Sequence, residues 1–444
     1  MMMRRSSKSK VDRMVQELVF SDDLKKKHEI GKKILTLGYK KGVYPSSIQE
    51  LYEARGRGEC SGFTVPAINL RTMTYDLARA IFRVAKKNNA GAFIFEIAKS
   101  EIGYTDQPPI EYTSVIVAAA VREEYAGPIF IQGDHFQAKA KNYKENPQKE
   151  LDGLKEIIDE AISSGFYNID IDSSTLVDLE KKKLLEQQRD NFEVAAELTT
   201  FIRKKQPRGI NVSVGGEIGE VGTKNSTPEE LRAYMKGYRK KLRKNYTGIS
   251  KMSIQTGTSH GGVVLPDGSV AEVSLDFDTL KTISQVSRNE FGMAGAVQHG
   301  ASTLPEDMFH KFAEVETAEV HLATQFQNMI YDSKHFPEEL KNRMYEWLKE
   351  NAADERKEGQ TDEQFFYKTR KKVLGPFKKE IMDLSLDIRD AIAAEVEEKF
   401  EFLFKQLNAF NTKELVDKYI TLKRVISRKR QEIQEKERDT EGDD

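Results

Sequence analysis

From Phe63 onward, short apolar and β-branched runs alternate with longer stretches in which apolar residues recur every three or four positions. Eight runs have the strand pattern: 63–69 (FTVPAIN), 90–98 (AGAFIFEIA), 128–135 (PIFIQGDH), 167–174 (YNIDIDSS), 210–220 (INVSVGGEIGE), 250–260 (SKMSIQTGTSH), 292–302 (GMAGAVQHGAS) and 318–324 (AEVHLAT). Between them, 75–89, 150–165, 192–205, 227–245 and 276–289 carry the helical period. The opening Thr227-Pro228-Glu229-Glu230 supplies an N-cap, a proline at the first helical position and acids for the first turn. Strands alternating with helices predict a parallel sheet, and eight such units over 61–335 predict an α/β fold of the (β/α)8 barrel type. An open doubly wound sheet competes, but it does not normally need eight units or a polar residue at the end of nearly every strand. In a barrel those ends converge, so that Asn69, Asp134, His135, Asp172, Glu217, His260 and His299 line one mouth.

Residues 1–60 read as a mostly helical lead-in, with a disordered basic start at MMMRRSSKSK. Residues 336–444 read as a helical, strongly charged extension whose apolar positions suit packing on the barrel or on another subunit. Its last stretch, from Lys423, is nearly all charge and reads as a solvated tail, with a coiled-coil contact as the alternative.

Lysine plus arginine (70) nearly balances aspartate plus glutamate (71), which argues against a global nucleic-acid footprint. No apolar run approaches the roughly 20 residues of a membrane span, so no membrane partner is expected. A single cysteine, Cys60, excludes an intrachain disulfide framework and fits a cytoplasmic protein.

Of only seven histidines, His135, His260 and His299 each follow an apolar run and stand beside glycine or aspartate. Three neutral imidazoles on a rigid scaffold can hold a divalent ion and leave a coordination position for substrate. Taken alone, the GDH sequence at 133–135 is as compatible with an Asx-stabilised turn. Repetition of the same placement in three units points to a metal-dependent enzyme. Asp134, beside a ligand, suits a general base; Asp172 and Glu217 suit orientation of a ligand histidine or a second metal position. Ser302 and the amides around Gly300 suit an anion. Asp170, one step deeper on the same face as Asp172, reads as structural, with its partner unidentified.

With these pieces in this order, FTVPAIN, GDH, IDSS, GGEIG, GTSHGG, VSLDFDTLKTI, HGAS and LATQFQ, the span from about Phe63 to Tyr331 resembles the class II, zinc-dependent fructose-bisphosphate aldolases. The resemblance implies zinc on His135, His260 and His299, and Asp134 as the carboxylate that moves the C4-hydroxyl proton of a phosphorylated ketose. It implies a second metal near Asp172 and Glu217, and a phosphate cradle from Gly261, Gly300, Ser302 and Thr324. Asn69 matches the asparagine of the first strand. The substrate is then a small sugar phosphate, with fructose 1,6-bisphosphate the first expectation, and the protein a homo-oligomer. The chain also departs from the pattern. His321 replaces the asparagine of the last strand and is expected beside the substrate as a new donor or a metal-neighbouring base; Val264 replaces a phosphate-site lysine, and Ala98 a serine. Lys224 and Asn225 stand where an acidic pair is usual, with Glu220 a substitute for it and Lys224 a replacement charge near phosphate. Ala98, Val264 and His321 leave a tagatose-type or other ketose open, the long charged C-terminal helices a non-catalytic barrel that supports a partner subunit, and Asp134 as base for metal-bound water a metal-dependent hydrolase.

Overall fold

The computed structural model describes residues 9–219, 224–257, 265 and 274–425. Nine strands form one sheet: β1 (Val43–Ser46), β2 (Val65–Asn69), β3 (Ile94–Ala98), β4 (Gly127–Gln137), β5 (Asn168–Asp172), β6 (Ser213–Glu217), β7 (Lys251–Ile254), β8 (Ala296–Gln298) and β9 (Glu319–Leu322). All pairings are parallel, and β4–β5 together with β2–β9 close β2 to β9 into an eight-stranded barrel. Each of the eight predicted runs contributes one barrel strand. The helices Thr74–Lys87, Pro109–Arg122, Pro147–Ser164, Arg189–Lys205, Pro228–Lys241 and Phe277–Phe291 lie between successive strands, as a (β/α)8 barrel requires. Thr227 caps its helix as read from the sequence, in a reciprocal capping box with Glu230.

The lead-in carries the helices Lys10–Phe20, Leu24–Lys40 and Gln49–Gly56, and it also contains β1, which the sequence did not announce. This strand pairs with the start of β4, Val43↔Gly127 to Ser46↔Phe130, on the flank that β5 takes over from Gln132 onward. Four residues containing a proline give too weak a period to read as a strand; pairing with β4 makes it one. Asn168 joins the two segments: its Oδ1 accepts from the Ile48 amide (2.9 Å) and its Nδ2 donates to the Ser46 carbonyl (3.3 Å). The next helix, Gln49–Gly56, plugs the barrel floor, where Ile48, Leu51, Tyr52 and Ala54 pack on Val65, Ala67, Ile94 and Phe130.

The C-terminal helices are built onto the same scaffold. Leu386–Gln406 packs along Thr74–Lys87, with buried Arg389 donating to buried Asp76 at 3.0 Å. Below, the Leu407 carbonyl accepts from the Thr64 amide, and Thr412 Oγ1 accepts from the amides of Gly91 and Ala92. These contacts tie the entry points of β2 and β3 to the end of the described chain. Among the described residues no helix is long and apolar enough to cross a membrane.

Candidate active site

Above the apolar plug the barrel interior becomes polar. Alternation along the strands turns Gln132, Asp170, Lys251 and Glu319 inward. Lys251 Nζ lies 2.9 Å from Asp170 Oδ2, donates to Gln132 Oε1 at 2.7 Å and bonds Glu319 Oε1, while the Tyr52 hydroxyl donates to the other Glu319 oxygen. Asp170 is thus a structural acid, and Lys251 is the partner that the sequence left unidentified. Gly215, in the GGEIG motif, makes room for this pair, since a Cβ there would stand 2.3 Å from Asp170 Oδ1. Burial and the neighbouring Glu319 charge outweigh Lys251 and push Asp170 up to about 6. Glu319 is also pushed up by burial, but Lys251 and His321 bring it below the ordinary carboxylate range.

The next layer carries the predicted chemistry. A regular strand would send Asp134 and His135 to opposite faces. Instead the β4–β5 register slips between Gly133↔Ile169 and Phe136↔Ile171, so both residues stand opposite Asp170. This is a β-bulge, and His135 takes a left-handed φ of 41° within it. Both side chains consequently reach the cavity, while Phe136 returns to the apolar exterior layer. Gly133 is required because the Phe136 ring lies over it, 2.5 Å from where a Cβ would be.

His135, His299 and His321 lie in a row with tilted rings, their centroids 4.2 Å and 4.1 Å apart. Asp134 Oδ1 sits beside all three, 3.8 Å from His135 Nε2, 3.4 Å from His299 Nε2 and 3.3 Å from His321 Nδ1. Asp172 Oδ2 holds His135 Nδ1 at 3.2 Å and also accepts from Gln137; its Oδ1 accepts from the Ser174 amide and hydroxyl. Burial would raise Asp172, but these hydrogen bonds and the His135 charge bring it to about 2. Glu217 Oε2 lies 3.5 Å from His135 Nδ1, and burial next to Asp172 raises it well above the ordinary range. Burial likewise opposes ionisation of Asp134, yet the charges of His135 and His321 hold it well below that range.

These groups line one cavity of about 650 Å³, together with Asn69, Gly300, Ser302 and Thr324. Asn69 Nδ2 bonds Glu101, and Ser302 Oγ accepts from the Ala323 amide at 3.4 Å. Gly300 has a left-handed φ of 72° and opens the turn that carries Ser302. His260, Gly261, Val264 and Glu220 lie outside the described residues. Lys224 does not serve the cavity; it pairs with Glu230 at 2.7 Å in the capping box, and Asn225 binds Asp276. The cations that do line it are Arg71, Lys99 and Lys139, which sequence reasoning missed. Arg71 follows the first strand directly and bridges Glu101 (2.7 Å) to Thr324 (3.5 Å).

The donor set fits a divalent ion. Asp134, His135 and His299 each offer a ligand atom, and these atoms lie within 4.8 Å of one another. With Nδ1 committed to Asp172, the His135 ring leaves Nε2 for the cavity, the usual arrangement of a carboxylate-oriented ligand.

A family model described as Fructose-bisphosphate aldolase class-II matches residues 56–406. No curated protein sequence matches the chain. Among solved structures, a probable tagatose 6 phosphate kinase from Sinorhizobium meliloti 1021 is similar with a TM-score of 0.55 at 14% identity, over 80% of this chain and 99% of that one. The fructuronate-tagaturonate epimerase UxaE from Cohnella laeviribosi has a TM-score of 0.50 at 12% identity, over 81% and 82%. The fructose-bisphosphate aldolase of Campylobacter jejuni has 0.47 at 18% identity, over 83% and 96%.

Proposed function

The chain belongs to the class II fructose-bisphosphate aldolase family, and on that premise we propose that it is a metal-dependent aldolase that reversibly cleaves a phosphorylated ketose between C3 and C4. Fructose 1,6-bisphosphate, giving dihydroxyacetone phosphate and glyceraldehyde 3-phosphate, is the first candidate. The observation that carries the reading is the bulge, which delivers Asp134 and His135 together to His299 in one cavity.

A divalent ion on His135 and His299, with His260 as the third imidazole and zinc as the first choice, would polarise the ketose carbonyl and stabilise charge left on C3. Asp134 is ionised and buried, so it can accept the C4-hydroxyl proton as the aldehyde forms and return it in condensation. Asp172 orients His135. Arg71, Lys99 and Lys139 give the mouth positive charge for phosphate, with Ser302, Thr324 and the Gly300 turn as hydrogen-bonding partners.

The test is cleavage of a ketose bisphosphate with trapping of the triose products, before and after removal of metal by a chelator. Loss of cleavage on chelation and its return with zinc are expected; cleavage indifferent to chelation would refute the reading. A second reading, a tagatose-type or differently substituted ketose, is favoured by His321 in the cavity wall and by Ala98 in place of a hydroxyl. A panel of epimeric ketose phosphates separates the two.

A further inference from the structure

His321 is the departure that the structure makes most of. Its Nε2 is 2.7 Å from Glu319 Oε1, and Glu319 is itself held by Lys251, Gln132 and Tyr52. A ring hydrogen-bonded in this way by a carboxylate has its other nitrogen set up as a ligand. That other nitrogen, Nδ1, lies 2.9 Å from Glu96 Oε2 and 3.3 Å from Asp134 Oδ1. Yet His321 Nδ1, Asp134 Oδ1 and Glu96 Oε1 form no hydrogen bond among the described residues. All three residues are more than nine-tenths buried: Glu96 is 0%, His321 5% and Asp134 6% exposed. Polar atoms without a hydrogen bond at this depth are costly, and His321 Nδ1 and Asp134 Oδ1, 3.3 Å apart, call for a shared partner.

The charge count points the same way. Six buried carboxylates, Glu96, Asp134, Asp170, Asp172, Glu217 and Glu319, surround one lysine and three imidazoles in the described part of the cluster. The carboxylates outnumber the cationic groups, and burial raises Glu96, Asp170 and Glu217 above the ordinary carboxylate range. One divalent ion on His135 and His299 would also require neutral imidazoles there, which deepens the deficit.

We propose that Glu96, Asp134 and His321 form a second divalent-cation position on the floor side of the cavity, sharing Asp134 with the ion at His135 and His299. The three ligand atoms lie within 4.8 Å of one another, and all three residues line the open cavity, so the ion has a route in. Nitrogen with two carboxylates suits zinc, manganese or cobalt. The rings of His299 and His321 are adjacent, with centroids 4.1 Å apart, so the two positions are neighbours. The position is distinct from the extra metal expected at Asp172 and Glu217, where His135, Asp172 and Glu217 also offer ligand atoms within 4.8 Å of one another, and it rests on the metal dependence proposed above.

The test is a manganese titration of the full chain by equilibrium dialysis, with electron paramagnetic resonance of the loaded protein. Wild type is expected to hold two ions per chain with a spin-coupled signal. His321→Asn, which installs the residue usual in the family, and Glu96→Gln should each hold one ion with an uncoupled six-line signal. One uncoupled ion in wild type, or two coupled ions in His321→Asn, would overturn the proposal. Should Glu96→Gln fail to fold by circular dichroism, His321→Asn and the wild-type count decide. One ion with full ketose cleavage would remove the second position and leave the aldolase reading intact; two ions without cleavage would do the reverse.

Discussion

Replacing Lys251 by methionine isolates the energetic role of the ionic layer beneath the cavity. The ammonium is 1% exposed and is shared by Asp170, Glu319 and Gln132. Methionine fills a similar volume but leaves two carboxylates in a dry interior without their cation. Breaking a buried pair in this way costs about 3–5 kcal/mol, whereas an exposed pair is worth about 1 kcal/mol or less. With an unfolding entropy of about 2.1 cal/mol/K per residue, a chain of 444 residues has roughly 0.9 kcal/mol/K. The melting temperature should therefore fall by about 3–5 °C when unfolding is cooperative. Calorimetry at pH 7 with parallel urea titrations measures both quantities. Adding Glu319→Gln to Lys251→Met should recover at least half of the loss, because it removes one stranded charge. A loss below about 1 kcal/mol for Lys251→Met, or a double variant no more stable than the single one, would refute the argument.

Three further outcomes are expected. Asp134→Asn should lower kcat by about 10²- to 10⁴-fold, with KM changed far less, in a coupled triose-phosphate assay; an unchanged kcat would remove Asp134 from proton transfer. Arg71→Ala should raise KM for a phosphorylated ketose by roughly 10- to 100-fold, as for loss of a charge-assisted hydrogen bond, and should spare an unphosphorylated analogue; equal effects on both would show that Arg71 only supports Glu101. Asp172, brought down to about 2, contributes stability that is complete above its ordinary value and is lost as pH falls through about 2. The shift is worth about 2–3 kcal/mol, so Asp172→Asn should flatten the stability profile between pH 4 and 2 in urea melts.

The barrel was legible because each inner strand carries its own hydrophobic run and five of those runs are followed by a clear helical period. The mouth was legible in part for the same reason: strand ends converge, so Asp134, His135, Asp172, Glu217 and His299 meet as expected. What stayed hidden depends on pairing. Only register against β5 reveals that Asp134 and His135 share one face, although the glycine and phenylalanine around them were a signal in retrospect. Lys251 was unreadable as the partner of Asp170 because nothing local joins residues from two different strands. Arg71 was overlooked as a residue just past a strand end, in a loop that shows no period. Lys224 misled because charge and proximity in sequence do not show which carboxylate claims the side chain.

The plug beneath the barrel also sets where the molecule can be cut. Tyr52 stands on the segment ahead of the first barrel strand, yet its hydroxyl completes Glu319, which in turn steadies His321 at the opposite end of the lumen. A minimal module started at β2 would lose this stopper, and solvent would enter from underneath and hydrate carboxylates that now depend on dryness. Grafts and tags therefore belong upstream of Lys10, where the first described helix begins, and recombination points borrowed from shorter barrels would sever the catalytic layer from its foundation.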